Sequence, residues 1–357
     1  MFDFFKKRDY TATIQATGHR FVVKGGQRLL TAALDAGLNW PHDCRVGSCG
    51  TCRCVLKSGR VKPLTDFVYT LDPADIAQGA ILACQSLLKS DVVVAVALAD
   101  GPLALEEVSG TITALRVLTH DIAEVTVTLQ RPCFRAARAG QYLELGTSQL
   151  KQTRSYSLAR APESGDGNTV SFFIRHVPGG EFTDWLFAAD RHGEHLSLRG
   201  PFGQFHRRVG SGRMICIAGG SGLAPVYALL EDAGLAGDSR DCVVLFGARA
   251  MRDLYYLDEL AALGKRWAGH FTLTPVLSDE PPASAWRGER GLVTDAIAIA
   301  SGTGHFEPND QAYVCGPPAM VDAAITRLTA MGMQDGSIFF DKFLDASTQA
   351  GGRHSLK

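Results

Sequence analysis

Apolar and polar positions change their spacing three times along this chain. Near the N-terminus, Tyr10 to Ala16 and Phe21 to Lys24 are short β-type runs separated by the turn-forming Gly18, which predicts a hairpin. Leu29 to Ala36 is compact, apolar and closed by Gly37, the pattern of a helix with a glycine just past its end. A cysteine-rich loop follows. Val92 to Ala99 is the longest unbroken apolar run and reads as a buried strand, after which the breakers Asp100-Gly101-Pro102 and the acidic pair Glu106-Glu107 read as a linker.

The middle third is β-type. Glu124 to Leu129 alternates polar and apolar as a half-buried strand does, and Gln141 to Leu145, Arg154 to Leu158 and Thr169 to Val177 continue the character, which predicts a barrel. Glu181 to Ala189 predicts a short helix with Trp185 and Leu186 on its inner face. From about Met214, apolar runs at Met214 to Ala218, Cys242 to Phe246, Phe271 to Leu277 and Gln311 to Cys315 alternate with helical stretches. Such alternation implies a parallel sheet with helices on both faces. The polar, Ser- and Gly-rich residues after Leu344 read as a loose tail. The expected domains are 1–101, 106–208 and 212–343, with 344–357 as the tail.

Composition narrows the class. At 357 residues, with domains of roughly 100 to 200 residues, the chain should hold two or three, and three fits the changes of pattern. With 46% hydrophobic and 20% charged residues it is an ordinary globular protein. No apolar run approaches the roughly 20 residues of a membrane span. The start, Met1 to Arg8, places its charges after the apolar residues and offers no cleavage site, so a cytoplasmic protein is expected. Nine cysteines, an odd number, then argue for reduced thiols or metal ligands over disulfides. A net charge of −1 conceals a first hundred residues with twelve Lys or Arg against nine Asp. That surplus is far below a nucleic-acid footprint, and none is expected as a partner. It does predict an acidic docking partner and salt-sensitive association.

The strongest chemical signal is the run Pro41 to Cys52. Cys44, Cys49 and Cys52 stand in CxxxxCxxC spacing with Cys84 thirty-two positions later, the plant-type [2Fe-2S] pattern. Four thiolates must converge on two irons, and Gly47 and Gly50 permit the tight loop this requires. A structural zinc site or a cluster of free thiols is the alternative, but zinc usually takes paired CxxC knuckles. Cys54, two positions past Cys52, is assigned to the core, since the ligand spacing is met without it. Arg45 and Arg53 would place positive charge by the cluster, or stand as solvated surface arginines.

Further motifs suit dinucleotides. Arg154-Ser155-Tyr156-Ser157 lies on a barrel strand, and Gly179-Gly180-Glu181-Phe182-Thr183 leads into a helix whose first N–H groups could hold a pyrophosphate, or could form a plain capped turn. Met214 to Ala218 runs into Gly219-Gly220-Ser221-Gly222-Leu223-Ala224-Pro225, a strand, a glycine turn and a helix start, without the GxGxxG spacing. Cys315-Gly316-Pro317-Pro318 closes the last predicted strand, where open parallel sheets bind ligands.

With these motifs in this order, and with Gly203-Gln204-Phe205, Phe246 to Arg249, Arg252-Asp253-Leu254-Tyr255 and Met320 to Ala324 beside them, the chain to about Phe343 resembles the ferredoxin-NAD(P)H reductase superfamily with an N-terminal ferredoxin domain. Within it, the nearest likeness is to the electron-transfer components of xylene-type monooxygenases. The resemblance implies a β-grasp ferredoxin domain, an antiparallel β-barrel FAD domain and a doubly wound NAD domain. It implies that Arg154 meets the flavin diphosphate, that Ser155 and Tyr156 line the cofactor with Tyr156 on the ring, and that Ser157 bonds near N5. Phe173, Ile174 and Arg175 would line the adenine side, with Gly180 and Thr183 at the phosphates. Gly219, Gly220, Ser221, Gly222 and Pro225 would take the nicotinamide dinucleotide, with Gly316 and Pro317 beside them and Cys315 near nicotinamide C4. Phe343 would shield the flavin face. FAD is implied over FMN, and NADH over NADPH, although Arg249 stands where some relatives meet a 2′-phosphate. The implied partner is an oxygenase or hydroxylase component, of which a membrane-bound di-iron enzyme is one kind, served by a monomeric reductase. A reductase for a deoxysugar dehydrase and a non-catalytic redox subunit are the other readings of this architecture.

Overall fold

A computed structural model describes residues 8–42, 45–47, 49–99, 105–165 and 167–343. Residues 2–7 of the N-terminal arm, Cys44, the cluster Asp100-Gly101-Pro102 and the tail after Phe343 lie outside the described residues. The chain divides into two compact units, Met1–Leu105 and Glu106–Lys357.

In the first unit, β1 (Tyr10–Ile14) and β2 (Arg20–Val23) form the expected hairpin, with Tyr10 opposite Val23. Gly18 turns it at φ +68°. α1 (Leu29–Asp35) buries Leu29, Leu30 and Ala32 to Leu34, and Gly37 follows its end at φ +76°, a left-handed conformation that glycine adopts without a Cβ penalty. Then come β3 (Arg53–Ser58), β4 (Val61–Pro63), α2 (Pro73–Ala77), β5 (Ala80–Leu82), β6 (Ser86–Leu88) and β7 (Val92–Ala95). The sheet order is β2-β1-β7-β3-β5, with β1 and β7 parallel at its centre and α1 packed against β2 and β6, a β-grasp arrangement. The apolar run from Val92 yields a strand only to Ala95, with Val92 and Val94 buried and the alternate residues half-buried.

The second unit opens with a correction. Glu106 and Glu107, expected as a linker, begin the twelve-residue β8 (Glu106–Val117) and pair with Gly200 and Arg199. β9 (Ile122–Leu129), β10 (Tyr142–Gly146), β11 (Arg154–Ser157), β12 (Thr169–Arg175), α3 (Glu181–Phe187) and β13 (His195–Phe202) complete this half. Their order, β11-β10-β13-β8-β9-β12, is antiparallel throughout and curls until its edge strands meet at one bridge, Leu158 with Phe172. This is a nearly closed barrel filled by Val125, Val127, Leu143, Leu145, Phe172, Ile174 and Leu198. α3 presents Trp185 and Leu186 inward as expected.

The nucleotide half follows as β14 (Met214–Gly219), α4 (Leu223–Leu235), β15 (Cys242–Ala248), α5 (Leu257–Gly264), β16 (Phe271–Leu277), β17 (Glu289–Arg290), α6 (Ile297–Ser301), β18 (Gln311–Gly316), α7 (Pro318–Ala330) and β19 (Ile338–Lys342). All its pairs are parallel, in the order β17-β16-β15-β14-β18-β19. β14 is buried along its whole length, as a central strand covered on both faces must be. One hydrophobic cluster joins the two halves, because Ile122, Phe173 and Phe205 from the barrel side pack with Cys216, Tyr227, Phe246, Tyr255 and Tyr256. At this junction His206 is buried, with Nε2 facing Arg138 Nη1 at 3.1 Å and Nδ1 facing the Arg207 carbonyl at 3.1 Å.

His206 gives a pH prediction. Burial drives its pKa from 6.5 down to about 4, the Arg207 carbonyl opposes this, and the charges of Arg208 and Arg138 add to it. Its folded value lies below its unfolded one, so the unfolded chain binds the proton first as pH falls. Stability should therefore be unaffected by His206 above pH 6.5, decline between 6.5 and about 4, and level off below. Melting temperatures of His206→Gln measured from pH 7.5 to 5 should fall less steeply than those of the parent; parallel slopes would remove His206 from the account.

Candidate redox and nucleotide sites

The cysteine loop is braced from outside. Thr70 Oγ1 donates to the Gly47 carbonyl at 2.5 Å, while Arg28 Nη1 and Gln85 Nε2 donate to the Arg45 carbonyl at 3.2 and 3.3 Å. Gly47 (φ +93°) has no room for a side chain, since a Cβ there would lie 2.6 Å from Gln85 Cγ. Cys52 and Cys84 come together although thirty-two residues separate them, and the Cys84 N–H points at Cys52 Sγ at 3.5 Å. A backbone N–H directed at sulfur favours the thiolate, the form a metal binds, so this pair fits an iron-sulfur centre. Cys49 stands half-buried on the same loop. Cys54 is buried in β3, and burial, with Cys52 adding, pushes its thiol well up, so it stays a neutral core residue. Arg53, read from the sequence either as a charge by the cluster or as a solvated surface arginine, is exposed and pairs with Asp75 at 2.7 Å.

In the barrel, the flavin motif sits at the seam. β11 pairs along one edge with β10, Tyr142 opposite Ser157 and Leu145 opposite Arg154. Its other edge meets β12 only through the Leu158–Phe172 bridge. Continued antiparallel register would set Ser157, Tyr156 and Ser155 across from Phe173, Ile174 and Arg175, yet no ladder forms there. The two expected flavin segments are thus the facing edges of an opening, with backbone groups free of strand partners to meet a polar ligand. Side chains are less available than the sequence suggests. Ile174 is buried in the barrel core, Phe173 packs into the nucleotide half, and Arg175 Nε is held by Asp121 at 2.9 Å. Tyr156 lies 5.3 Å from the Phe182 ring of α3, and Arg154 Nη1 bonds Gln152 Oε1 and the Thr153 carbonyl, each at 2.9 Å. Ser155 is exposed and Ser157 is buried. Thr183 Oγ1 ties the turn before α3 by donating toward the Val177 and Gly180 carbonyls at 3.0 and 3.2 Å and accepting from the Val177 N–H. It shapes the turn before α3 with its hydroxyl already engaged.

In the nucleotide half, Gly219 to Gly222 lie against the end of β18. A Cβ on Gly222 would stand 2.3 Å from the Cys315 carbonyl oxygen and 2.8 Å from the Gly316 nitrogen, both backbone atoms that cannot turn aside. Gly220, at φ +54°, faces space open to 4 Å, which suits close approach of a ligand backbone. Ser221 stands half-exposed in this turn and Pro225 is buried in the first turn of α4. Cys315 is fully buried beside Ala218 and Asp341, and burial, with Asp341 adding, pushes its thiol well up. It is a neutral, shape-giving thiol and no nucleophile. Pro317 precedes α7, and Phe343, half-buried on the shared cluster, donates its N–H to the Gly316 carbonyl at 2.9 Å. Arg249 is exposed just past β15. Sequence reasoning missed Tyr255, whose hydroxyl reaches Gly220, and Tyr256, whose hydroxyl reaches Glu124 at 2.7 Å. Both contacts are tertiary, and only the likeness of Arg252 to Tyr255 to a family motif hinted at them.

Comparison with known proteins finds three family domains in the same order. Residues 12–89 match the 2Fe-2S iron-sulfur cluster binding domain, 109–207 the oxidoreductase FAD-binding domain and 216–326 the oxidoreductase NAD-binding domain. The chain is 40% identical over 352 residues to the xylene/toluene monooxygenase electron transfer component of Pseudomonas putida, covering 96% of this chain and 98% of that protein. It is 34% identical to the reductase component of phenol 2-monooxygenase from a Pseudomonas species, covering 96% of each. Among solved structures, the cytochrome P450 reductase of Amycolatopsis superposes with a TM-score of 0.79 at 32% identity, over 94% of this chain and 99% of that one.

Proposed function

Since the chain belongs to the family of iron-sulfur flavoprotein reductases that are the electron-transfer components of oxygenases, we propose that it carries electrons from NADH through FAD and a [2Fe-2S] cluster to a hydroxylase. The observation that carries this reading is one chain holding a thiol loop with an N–H aimed at sulfur, a barrel with an unlaced seam and a glycine turn seated on a strand end. Bound FAD supplies the conversion between the two electrons a nicotinamide releases at once and the single electrons a [2Fe-2S] cluster accepts.

The residues then divide the work. Cys44, Cys49, Cys52 and Cys84 are assigned to the cluster. The seam edges Arg154 to Ser157 and Phe173 to Arg175, with Gly180 and Thr183, are assigned to FAD; Ser157 offers a hydroxyl at the seam, and Arg154 a guanidinium for phosphate. Gly219 to Gly222 and Pro225 are assigned to the nicotinamide dinucleotide, with Cys315 to Pro317 as the floor and Phe343 as the movable cover. The partner assigned is a hydroxylase acting on an alkylaromatic compound, in keeping with the xylene/toluene monooxygenase served by one relative. A membrane-bound di-iron hydroxylase, approached by a monomeric, cytoplasmic reductase of mildly basic first domain, is the form this takes. Among the described residues no helix is long and apolar enough to cross a membrane.

Affinity capture of the native partner, followed by assay of hydroxylated product with NADH as sole reductant, tests the proposal. Product formation that needs this chain supports it, and capture of a sugar-nucleotide enzyme in place of an oxygenase overturns it. Coenzyme choice gives a separate test. NADH should exceed NADPH in kcat/KM by at least about tenfold, a difference of roughly 1.4 kcal/mol in transition-state binding. Arg249→Ala should lower the residual NADPH activity by about fivefold and leave NADH within about twofold, as expected for one exposed cation facing a 2′-phosphate. Equal losses with both coenzymes would remove Arg249 from selectivity.

A further inference from the structure

Arg252-Asp253-Leu254-Tyr255 is left without a role by the cofactor assignments, and its geometry is specific. Asp253 Oδ2 accepts the Ala250 N–H at 3.0 Å, closing the short turn Met251–Asp253 after β15. The turn delivers Tyr255 into the interior, where it is 5% exposed. Its hydroxyl donates to the Gly220 carbonyl at 3.0 Å. That carbonyl also accepts the Leu223 N–H at the start of α4, so two donors fix the one residue of the glycine turn with an open side. Burial holds the Tyr255 phenol protonated, and hence a donor, throughout the working pH range.

The ring of Tyr255 does a second thing. It stands edge-on to Phe246 of β15 and to Phe173 of β12, with centroids 5.5 Å away in each case. Tyr256, at φ +60°, reverses the chain so that consecutive tyrosines both point inward; its ring lies 4.6 Å from Phe173 and its hydroxyl holds Glu124 of β9. Phe173 belongs to one edge of the barrel seam. Tyr255 thus touches the nucleotide turn through its oxygen and the seam strand through its ring.

We infer that Tyr255 is a positioning residue for the nicotinamide nucleotide, its hydroxyl fixing the Gly220 turn and its ring registering that turn against the barrel seam. This rests on the reading that Gly219 to Gly222 hold the nucleotide. The hydroxyl and ring separate experimentally. Tyr255→Phe keeps the ring, so kcat should stay within about twofold while KM for NADH rises about five- to tenfold. The dissociation constant of NAD+ for the holoenzyme, by titration calorimetry, should rise by the same factor.

Tyr256→Phe, which loses the bond to Glu124, serves as the control for a merely structural effect. It should lower the melting temperature and leave NAD+ affinity within about twofold. If the parent holoenzyme fails to bind NAD+, the assignment of the glycine turn fails. If the parent binds it and Tyr255→Phe binds equally well, the inference about Tyr255 is overturned and the assignment stands. An affinity loss in Tyr255→Phe matched by an equal loss in Tyr256→Phe also overturns it, since general loosening would then suffice. Should Tyr255→Phe not fold, Phe173→Leu, which removes the ring contact and spares the hydroxyl, should lower kcat per bound FAD and leave NAD+ affinity unchanged; a changed affinity, or a fall in kcat fully accounted for by lost FAD, counts against the division of roles.

Discussion

Cys49→Ser should leave NADH-driven ferricyanide reduction within about twofold of the parent and lower cytochrome c reduction by at least about a hundredfold. Both acceptors take single electrons, but ferricyanide, a small ion, can take them from flavin directly, whereas cytochrome c is expected to depend on the cluster. Serine offers a hydroxyl that stays protonated at neutral pH, so the loop would lose one of the four thiolates assigned to the cluster. The loop around it is braced through the Arg45 and Gly47 carbonyls and through Gly47 itself. The substitution should therefore act on the cluster and spare the second unit. Iron and acid-labile sulfide analysis, with the two assays side by side, reads the outcome. An equal fall in both activities would mean that electrons do not pass flavin first.

The second large effect is expected at Gly222. In Gly222→Ala the new methyl would sit 2.3 Å from the Cys315 carbonyl oxygen and 2.6 Å from its carbon. Neither atom belongs to a flexible side chain, so β14 and β18 must separate or the turn must shift. Overpacking of this kind costs about 1 to 3 kcal/mol, and the displaced turn is the element assigned to the nucleotide. NADH kcat/KM should fall by about a hundredfold or more, while FAD content remains near that of the parent because the barrel seam is untouched. Gly220→Ala is the informative contrast. Its Cβ meets nothing within 4 Å, and only the left-handed backbone at φ +54° is penalised, by roughly 1 kcal/mol. Steady-state kinetics with both variants decides the matter; if Gly222→Ala is the milder of the two, crowding against Cys315 is not what makes that glycine necessary.

Much of this was readable in the residue order, and the exceptions have physical causes. The cysteine spacing, the helix ended by Gly37 and four of the six strands of the nucleotide half announce themselves because local spacing and local turn chemistry suffice for them; the edge strands β17 and β19 were not legible in this way. β8 did not, since only Val108, Gly110 and Ile112 of its residues are buried and its first two are acidic. Gly110 within it looks like a turn, yet a Cβ there would lie 2.6 Å from Val127 Cγ1 and 3.0 Å from the Thr128 carbonyl. It is a close approach of neighbouring strands and no bend. β13 was hidden by Gly200-Pro201, a breaker pair by composition that the structure keeps inside a strand. In the site, motif residues could be named, but not that Phe173 and Ile174 are committed to two different cores, or that Tyr255 reaches a carbonyl thirty-five positions earlier. Alternation predicts opposite faces; what covers each face is decided by segments far away in the chain.

The shared cluster around Phe173 bears on modularity. Its ring is buried against tyrosines of the next half, Tyr255 and Tyr256. A chimera that grafted in another nucleotide half at the boundary near residue 210, to alter coenzyme preference, would take that cover away and expose an aromatic to water. Breeding a new selectivity into this scaffold by exchange therefore means transplanting β12 with the nucleotide half, or choosing a donor that already carries the paired tyrosines.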